Sequence, residues 1–186
     1  MGVCLCDFDE DGDLDVFGSV PQRQEYDVWL NDGSGDLGTP TFTPLTTKPG
    51  DDLKVADLDG DGHLDVVAGG SQDGSITLQY GRGDGTFADV ALATAQSTIT
   101  TVVVGDFDGA GSLDLAWAAH ASFNVTIAKA IDARAYSTST IAMPFISVTH
   151  LFAADLDGDA VVDLGYGAYA ATQAIHCYSC ISALRG

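Results

Sequence analysis

An aspartate-rich ten-residue segment occurs four times in this chain, and no other feature restricts the possible fold as strongly. The copies are Asp7-Phe8-Asp9-Glu10-Asp11-Gly12-Asp13-Leu14-Asp15-Val16, Asp57-Leu58-Asp59-Gly60-Asp61-Gly62-His63-Leu64-Asp65-Val66, Asp106-Phe107-Asp108-Gly109-Ala110-Gly111-Ser112-Leu113-Asp114-Leu115 and Asp155-Leu156-Asp157-Gly158-Asp159-Ala160-Val161-Val162-Asp163-Leu164. Their first aspartates lie 50, 49 and 49 residues apart. A fixed period of this size marks a repeat architecture, in which one supersecondary unit cannot bury its faces alone and stacks on its neighbours.

The stretches between the loops read as short strands. Leu53 to Ala56, Asp65 to Ala68, Ile76 to Tyr80 and Thr100 to Val104 alternate or are rich in β-branched residues. Two glycine clusters, Asn31-Asp32-Gly33-Ser34-Gly35 and Gly81-Arg82-Gly83-Asp84-Gly85, each begin 24 residues after their loop's first aspartate and have hairpin-turn chemistry. Each period therefore holds about four strands, the pattern of a propeller blade. The expected fold is all-β: blades of four antiparallel strands in about four repeats, forming a small propeller or part of a larger one. The chain reads as one region, 1–186, with repeats at 1–50, 51–99, 100–147 and 148–186, the last lacking its outer strand. Apolar positions 2, 8 and 10 of the loops (Phe8, Leu14 and Val16; Leu58, Leu64 and Val66) are expected to pack between sheets.

The spacing D-x-D-x-D-G-x-x-D brings alternate carboxylates to one point. Calcium takes six to eight oxygens, and a tight turn can supply them from side chains at positions 1, 3, 5 and 9 and from the position 7 carbonyl. The candidate ligands are Asp7, Asp9, Asp11 and Asp15 with the Asp13 carbonyl; Asp57, Asp59, Asp61 and Asp65 with the His63 carbonyl; Asp106, Asp108 and Asp114 with the Ser112 carbonyl; and Asp155, Asp157, Asp159 and Asp163 with the Val161 carbonyl. Glycine at position 6 permits the backbone bend. An EF-hand needs glutamate at position 12, where this chain has Gly18, Ala68, Trp117 and Tyr166, and it needs helical flanks. The other reading, an Asx turn whose aspartates only cap amides, leaves four crowded carboxylates without a use.

The copies differ. Loops one and two are complete. Loop three has Ala110 at position 5 and is expected to bind weakest. Loop four has Ala160 at position 6, where a left-handed alanine costs about 1–2 kcal/mol, and is expected to be intermediate.

These loops resemble the calcium loops of FG-GAP and VCBS-type repeats, which build integrin α-subunit propellers. The segments Asp15-Val16-Phe17-Gly18-Ser19-Val20-Pro21 and Gly83-Asp84-Gly85-Thr86-Phe87 are similar to further signatures of those repeats. The resemblance implies a structural metal in the hairpin joining the first two strands of each blade. It also implies an extracellular or secreted adhesion, carbohydrate-binding or scaffold role.

Charge narrows the partners. Of the 27 acidic residues only Glu10 and Glu25 are glutamate, and the net charge of −20 repels phosphate backbones and anionic lipid. Nucleic acid is therefore not an expected partner, and without an apolar run of about 18 residues membrane insertion is not expected either. The start, Met1 to Asp7, shows neither a basic n-region nor a long h-region, so a mature chain, a fragment and a cytosolic protein all remain open.

The remaining residues carry weaker readings. Cys177 and Cys180 could close a small disulfide, Cys4 and Cys6 share one strand face, a four-cysteine zinc site is a weaker alternative, and free buried thiols are the simplest reading. Asn124-Val125-Thr126 is a glycosylation sequon. His120, His150 and His176 have no catalytic spacing. Trp29, Trp117 and Tyr80 could line a sugar groove, although strand aromatics more often pack. The expected function is a non-enzymatic, calcium-stabilised module that binds protein or glycan, with a further chain or segment completing the propeller. A lectin proper and part of a polysaccharide-active enzyme are the alternatives.

Overall fold

The computed structural model describes all residues except 1, 21, 46–47, 49, 70–73, 95–97, 120–122, 144–145, 171–174 and 179–186. It is all-β, with no helix among the described residues. The chain divides into two compact units, residues 1–98 and 99–186.

In the first unit, sheet one is an antiparallel meander of β1 (Val3–Cys6), β2 (Asp15–Val20), β3 (Glu25–Trp29) and β4 (Thr41–Pro44). Sheet two repeats it with β5 (Asp52–Ala56), β6 (Asp65–Gly69), β7 (Ser75–Gly81) and β8 (Phe87–Thr94). The pleat of sheet one turns Cys4, Cys6, Phe17, Tyr26 and Val28 toward sheet two, where they meet Leu53, Val55, Val66, Ala68 and Phe87. Four aromatic rings organise this core. Phe17 and Phe8 lie 5.2 Å and 5.5 Å from Phe87, both edge to face, an arrangement that adds about 0.5–1.5 kcal/mol per pair beyond area burial, and Phe17 lies 4.9 Å from Tyr26 with the rings tilted. Phe8 comes from the aspartate loop, so the loop is tied to the core by its second residue.

In the second unit, sheet three comprises β9 (Ile99–Gly105), β10 (Asp114–Ala119), β11 (Asn124–Asp132) and β12 (Ala135–Ala142). Sheet four comprises β13 (Ile146–Ala154), β14 (Asp163–Ala170) and β15 (Ile175–Tyr178), three strands among the described residues. Val103, Phe107, Ile127 and Met143 pack with Leu151 and Leu164 between these sheets.

One packing expectation fails. Leu14 is 60% exposed and Leu156 is 52% exposed, whereas their equivalents Leu64 and Phe8 pack in the first unit's core. The loop positions are apolar in every copy, but they are covered only where another sheet lies on that side. Trp117 and Tyr80 are buried as packing residues, while Trp29 is half-buried with its ring against Gly18. Cys4 and Cys6 are free thiols facing the core, and burial pushes Cys4 up to about 12. The Cys177 side chain and Cys180 lie outside the described residues.

Candidate metal centres

Each aspartate loop is the hairpin between the first two strands of its sheet: β1–β2, β5–β6, β9–β10 and β13–β14. Two left-handed residues make the bend. At position 6, Gly12, Gly62, Gly111 and Ala160 have φ of 96°, 94°, 86° and 69°, so the alanine of loop four holds the conformation anticipated for it. Position 4 is left-handed as well, at Glu10, Gly60, Gly109 and Gly158, with φ of 63°, 75°, 74° and 79°. Loop one, complete in its carboxylates, therefore carries a strained Glu10 where the other copies have glycine.

The position 1 carboxylate caps the turn. Asp7 accepts from the amides of Asp11 and Gly12 at 3.1 and 3.0 Å, Asp57 from Gly60 and Gly62 at 2.8 and 3.0 Å, Asp106 from Gly109 and Gly111 at 2.7 and 2.9 Å, and Asp155 from Gly158 and Ala160 at 2.8 and 3.0 Å. Position 5 does local work too: Asp11, Asp61 and Asp159 accept from the amides of Asp13, His63 and Val161 at 2.9 Å each. Ala110 leaves loop three without that bond.

Position 9 is the first residue of the second strand, and its carboxylate ties three segments together. Asp15 accepts from Phe8 N in the loop at 2.8 Å and from Asn31 N, just beyond β3, at 2.9 Å. Asp65 does the same with Leu58 N at 2.7 Å and Gly81 N at 2.8 Å, and Asp114 with Phe107 N at 3.1 Å and Ala130 N at 2.8 Å. Asp163 repeats the first half of the pattern, accepting from Leu156 N at 2.9 Å. Asp15, Asp65 and Asp114 are buried. Burial pushes Asp65 up to about 6, against the lowering effect of its two amide donors, and raises Asp114 in the same way. Asp9 is raised by burial and then by the charges of Asp15 and Asp11.

Three carboxylates converge in every loop, with one oxygen from each lying within 4.8 Å of the others. They are Asp7, Asp9 and Asp15; Asp57, Asp59 and Asp61; Asp106, Asp108 and Asp114; and Asp155, Asp157 and Asp163. Each group could hold a metal ion. Loop three keeps the position 1, 3 and 9 group despite Ala110. A carboxylate has about four lone-pair sites, so accepting an amide leaves room for a cation.

Two basic side chains at the loops were not anticipated from the sequence. Lys129 on β11 places Nζ 3.4 Å from Asp108 Oδ2, so the loop with the fewest carboxylates has an ammonium beside it. His63 donates or accepts through Nδ1 at 2.6 Å from Glu10 Oε1, joining loop two to loop one, and this bond is the main cause of the raised His63 pKa. The signal for Lys129 lay in strand register alone, because Ala128 pairs with Leu115 and so sets β11 beside the loop.

The glycine clusters are explained by the same neighbourhood. A Cβ on Gly33 would collide with the Asp13 carboxylate and one on Gly83 with the His63 ring, and both glycines have positive φ. The β3–β4 and β7–β8 turns thus sit against position 7 of loops one and two.

Four meandering sheets, each opening on a carboxylate-lined hairpin, define an all-β protein of propeller-blade repeats. The FG-GAP-like repeat pattern matches residues 7–68 and 57–117, and the chain belongs to that family. Among solved structures, one described as the structural basis of specific recognition of non-reducing terminal N-acetylglucosamine by an Agrocybe aegerita lectin shares the fold, with a TM-score of 0.60 at 21% identity. The likeness covers 88% of this chain, which spans 46% of that one. No curated protein matches the sequence.

Proposed function

We propose that this chain is an extracellular, non-enzymatic binding module whose aspartate loops hold structural calcium. The observation that carries the reading is the convergence of three carboxylates in the same hairpin of all four repeats. Their donors are all hard oxygens, with no imidazole nitrogen or thiolate in any group, which suits calcium better than zinc. Asp7, Asp9, Asp11 and Asp15 would hold one ion, Asp57, Asp59, Asp61 and Asp65 a second, and Asp155, Asp157, Asp159 and Asp163 another, each with the position 7 carbonyl of Asp13, His63 or Val161. Asp106, Asp108 and Asp114, with the Ser112 carbonyl, form the weakest site. The ion offsets the repulsion of crowded carboxylates and fixes the hairpin, leaving other loops to meet the ligand.

Each ion held at ten times its dissociation constant adds about 1.4 kcal/mol to stability. Calcium should therefore raise the melting temperature and chelator lower it. An unchanged melt in chelator would remove the metal from the account.

The ligand is protein or glycan. The lectin neighbour favours a sugar with a terminal N-acetylglucosamine as the first to try, and a glycan array with the calcium-loaded chain tests it. Binding to no sugar would leave a protein ligand as the reading.

A further inference from the structure

In the first unit, loops one and two each depart from the repeat at one position, and the two departures meet. Position 4 is glycine in loops two, three and four but Glu10 in loop one, where the backbone is left-handed with φ of 63°. Position 7 is Asp13, Ser112 and Val161 in the other loops but His63 in loop two. The His63 ring Nδ1 lies 2.6 Å from Glu10 Oε1. A side chain kept where the backbone favours glycine is held there by its surroundings, and for Glu10 the partner is the second loop.

A third segment braces the pair. A Cβ on Gly83, in the β7–β8 turn, would collide with both His63 Nδ1 and Glu10 Oε1, so the bonded side chains rest on the bare backbone of that glycine. Gly85 N of the same turn donates to Phe8 O at 3.1 Å, beside Asp9. The second unit brings the same two positions together without a polar bond between side chains: a Cβ on Gly109, position 4 of loop three, would lie 3.2 Å from Cγ2 of Val161, position 7 of loop four. Position 4 of one loop against position 7 of the next is therefore a contact of the repeat, and only loops one and two have turned it into a hydrogen bond between side chains.

We propose that Glu10 and His63 are positioning residues that make loops one and two bind calcium cooperatively, an inference that rests on the calcium reading above. Glu10 lies between the proposed ligands Asp9 and Asp11, and the His63 carbonyl is itself a proposed ligand of loop two. An ion in loop one fixes the backbone of Glu10, Glu10 holds the His63 ring, and loop two then has less freedom left to lose when it closes on its own ion. By linkage an ion in loop two favours loop one by the same factor. That factor is about threefold, the contribution of one exposed ion pair.

Calcium titration of the full chain, followed by NMR at the Gly12 and Gly62 amides, reads the two loops separately, because these amides donate to Asp7 and Asp57 Oδ2 at 3.0 Å each. Asp9→Ala removes a ligand from loop one and none from loop two, yet it should raise the calcium concentration at the Gly62 midpoint by about two- to threefold. In a Glu10→Gly background, which gives position 4 the residue of the other copies, the same Asp9→Ala change should leave the Gly62 midpoint unmoved, and a His63→Ser background should do likewise. Glu10→Gln, which keeps a hydrogen bond to the ring, should retain part of the shift. A Gly62 midpoint that ignores Asp9→Ala while the pair is intact, or that shifts equally once the pair is removed, would overturn the inference and leave the calcium reading standing. Gly12 and Gly62 amides that do not respond to calcium at all would overturn both.

Discussion

Loop two and loop three occupy the same hairpin in successive repeats, yet their negative charge is met differently. Loop two has carboxylates at positions 1, 3, 5 and 9, with a histidine at position 7 whose ring is bonded to Glu10. Loop three has alanine at position 5 and the Lys129 ammonium beside Asp108. The position 9 aspartate makes the same two amide bonds in both. The difference separates two roles that the motif merges: holding the sheet together, which both loops do, and gathering charge for a cation, which loop two does more fully.

The sharpest way to break this separation is to remove the shared role. Asp65→Ala and Asp114→Ala each strand two amides, and bonds to an ionised acceptor contribute about 1.5–3 kcal/mol apiece, so each variant should lose about 3 kcal/mol of unfolding free energy in chelator. Urea titration measures this, and a loss well under 1 kcal/mol in either loop would undo the shared tie. In calcium each variant also loses a proposed ligand, and Asp65→Ala should cost more than Asp114→Ala because the better-supplied loop has more ion-binding stability to lose.

Next in size are substitutions that make loop three resemble loop two. Ala110→Asp should raise calcium affinity at that loop, and adding Lys129→Met should raise it further by about fivefold, corresponding to an exposed ion pair of about 1 kcal/mol. Calorimetric titration reads both steps. If neither changes the affinity, charge supply does not rank the loops.

The smallest effect concerns backbone strain. Ala160→Gly relieves a left-handed alanine costing about 1–2 kcal/mol and loosens the unfolded chain by about 0.4–1 kcal/mol, leaving a net gain of about 0.5–1 kcal/mol by thermal melting. A loss of stability would show that the Ala160 methyl has a packing role.

Much of this organisation was legible in the chain. The 50-residue period, strand–loop–strand order and turn glycines are local properties, and each appears where the spacing places it. Position 4 was legible too but went unread: Gly60, Gly109 and Gly158 share it, which marks the left-handed backbone that Glu10 must adopt. What could not be read depends on which strands meet. Lys129 reaches Asp108 from another strand, and Glu10 and His63 are 53 residues apart. The exposure of Leu14, identical in pattern to Leu64, depends on whether a sheet lies beside it.

The two-amide tie at position 9 also bears on how the strands find their alignment. A slip of one residue in β2 would send Asp15 to the opposite face of the sheet, because successive side chains alternate. Phe8 N and Asn31 N would then both lose their acceptor. The aspartate thus acts as a register key: its two bonds fit only the correct pairing, and they need no ion to form.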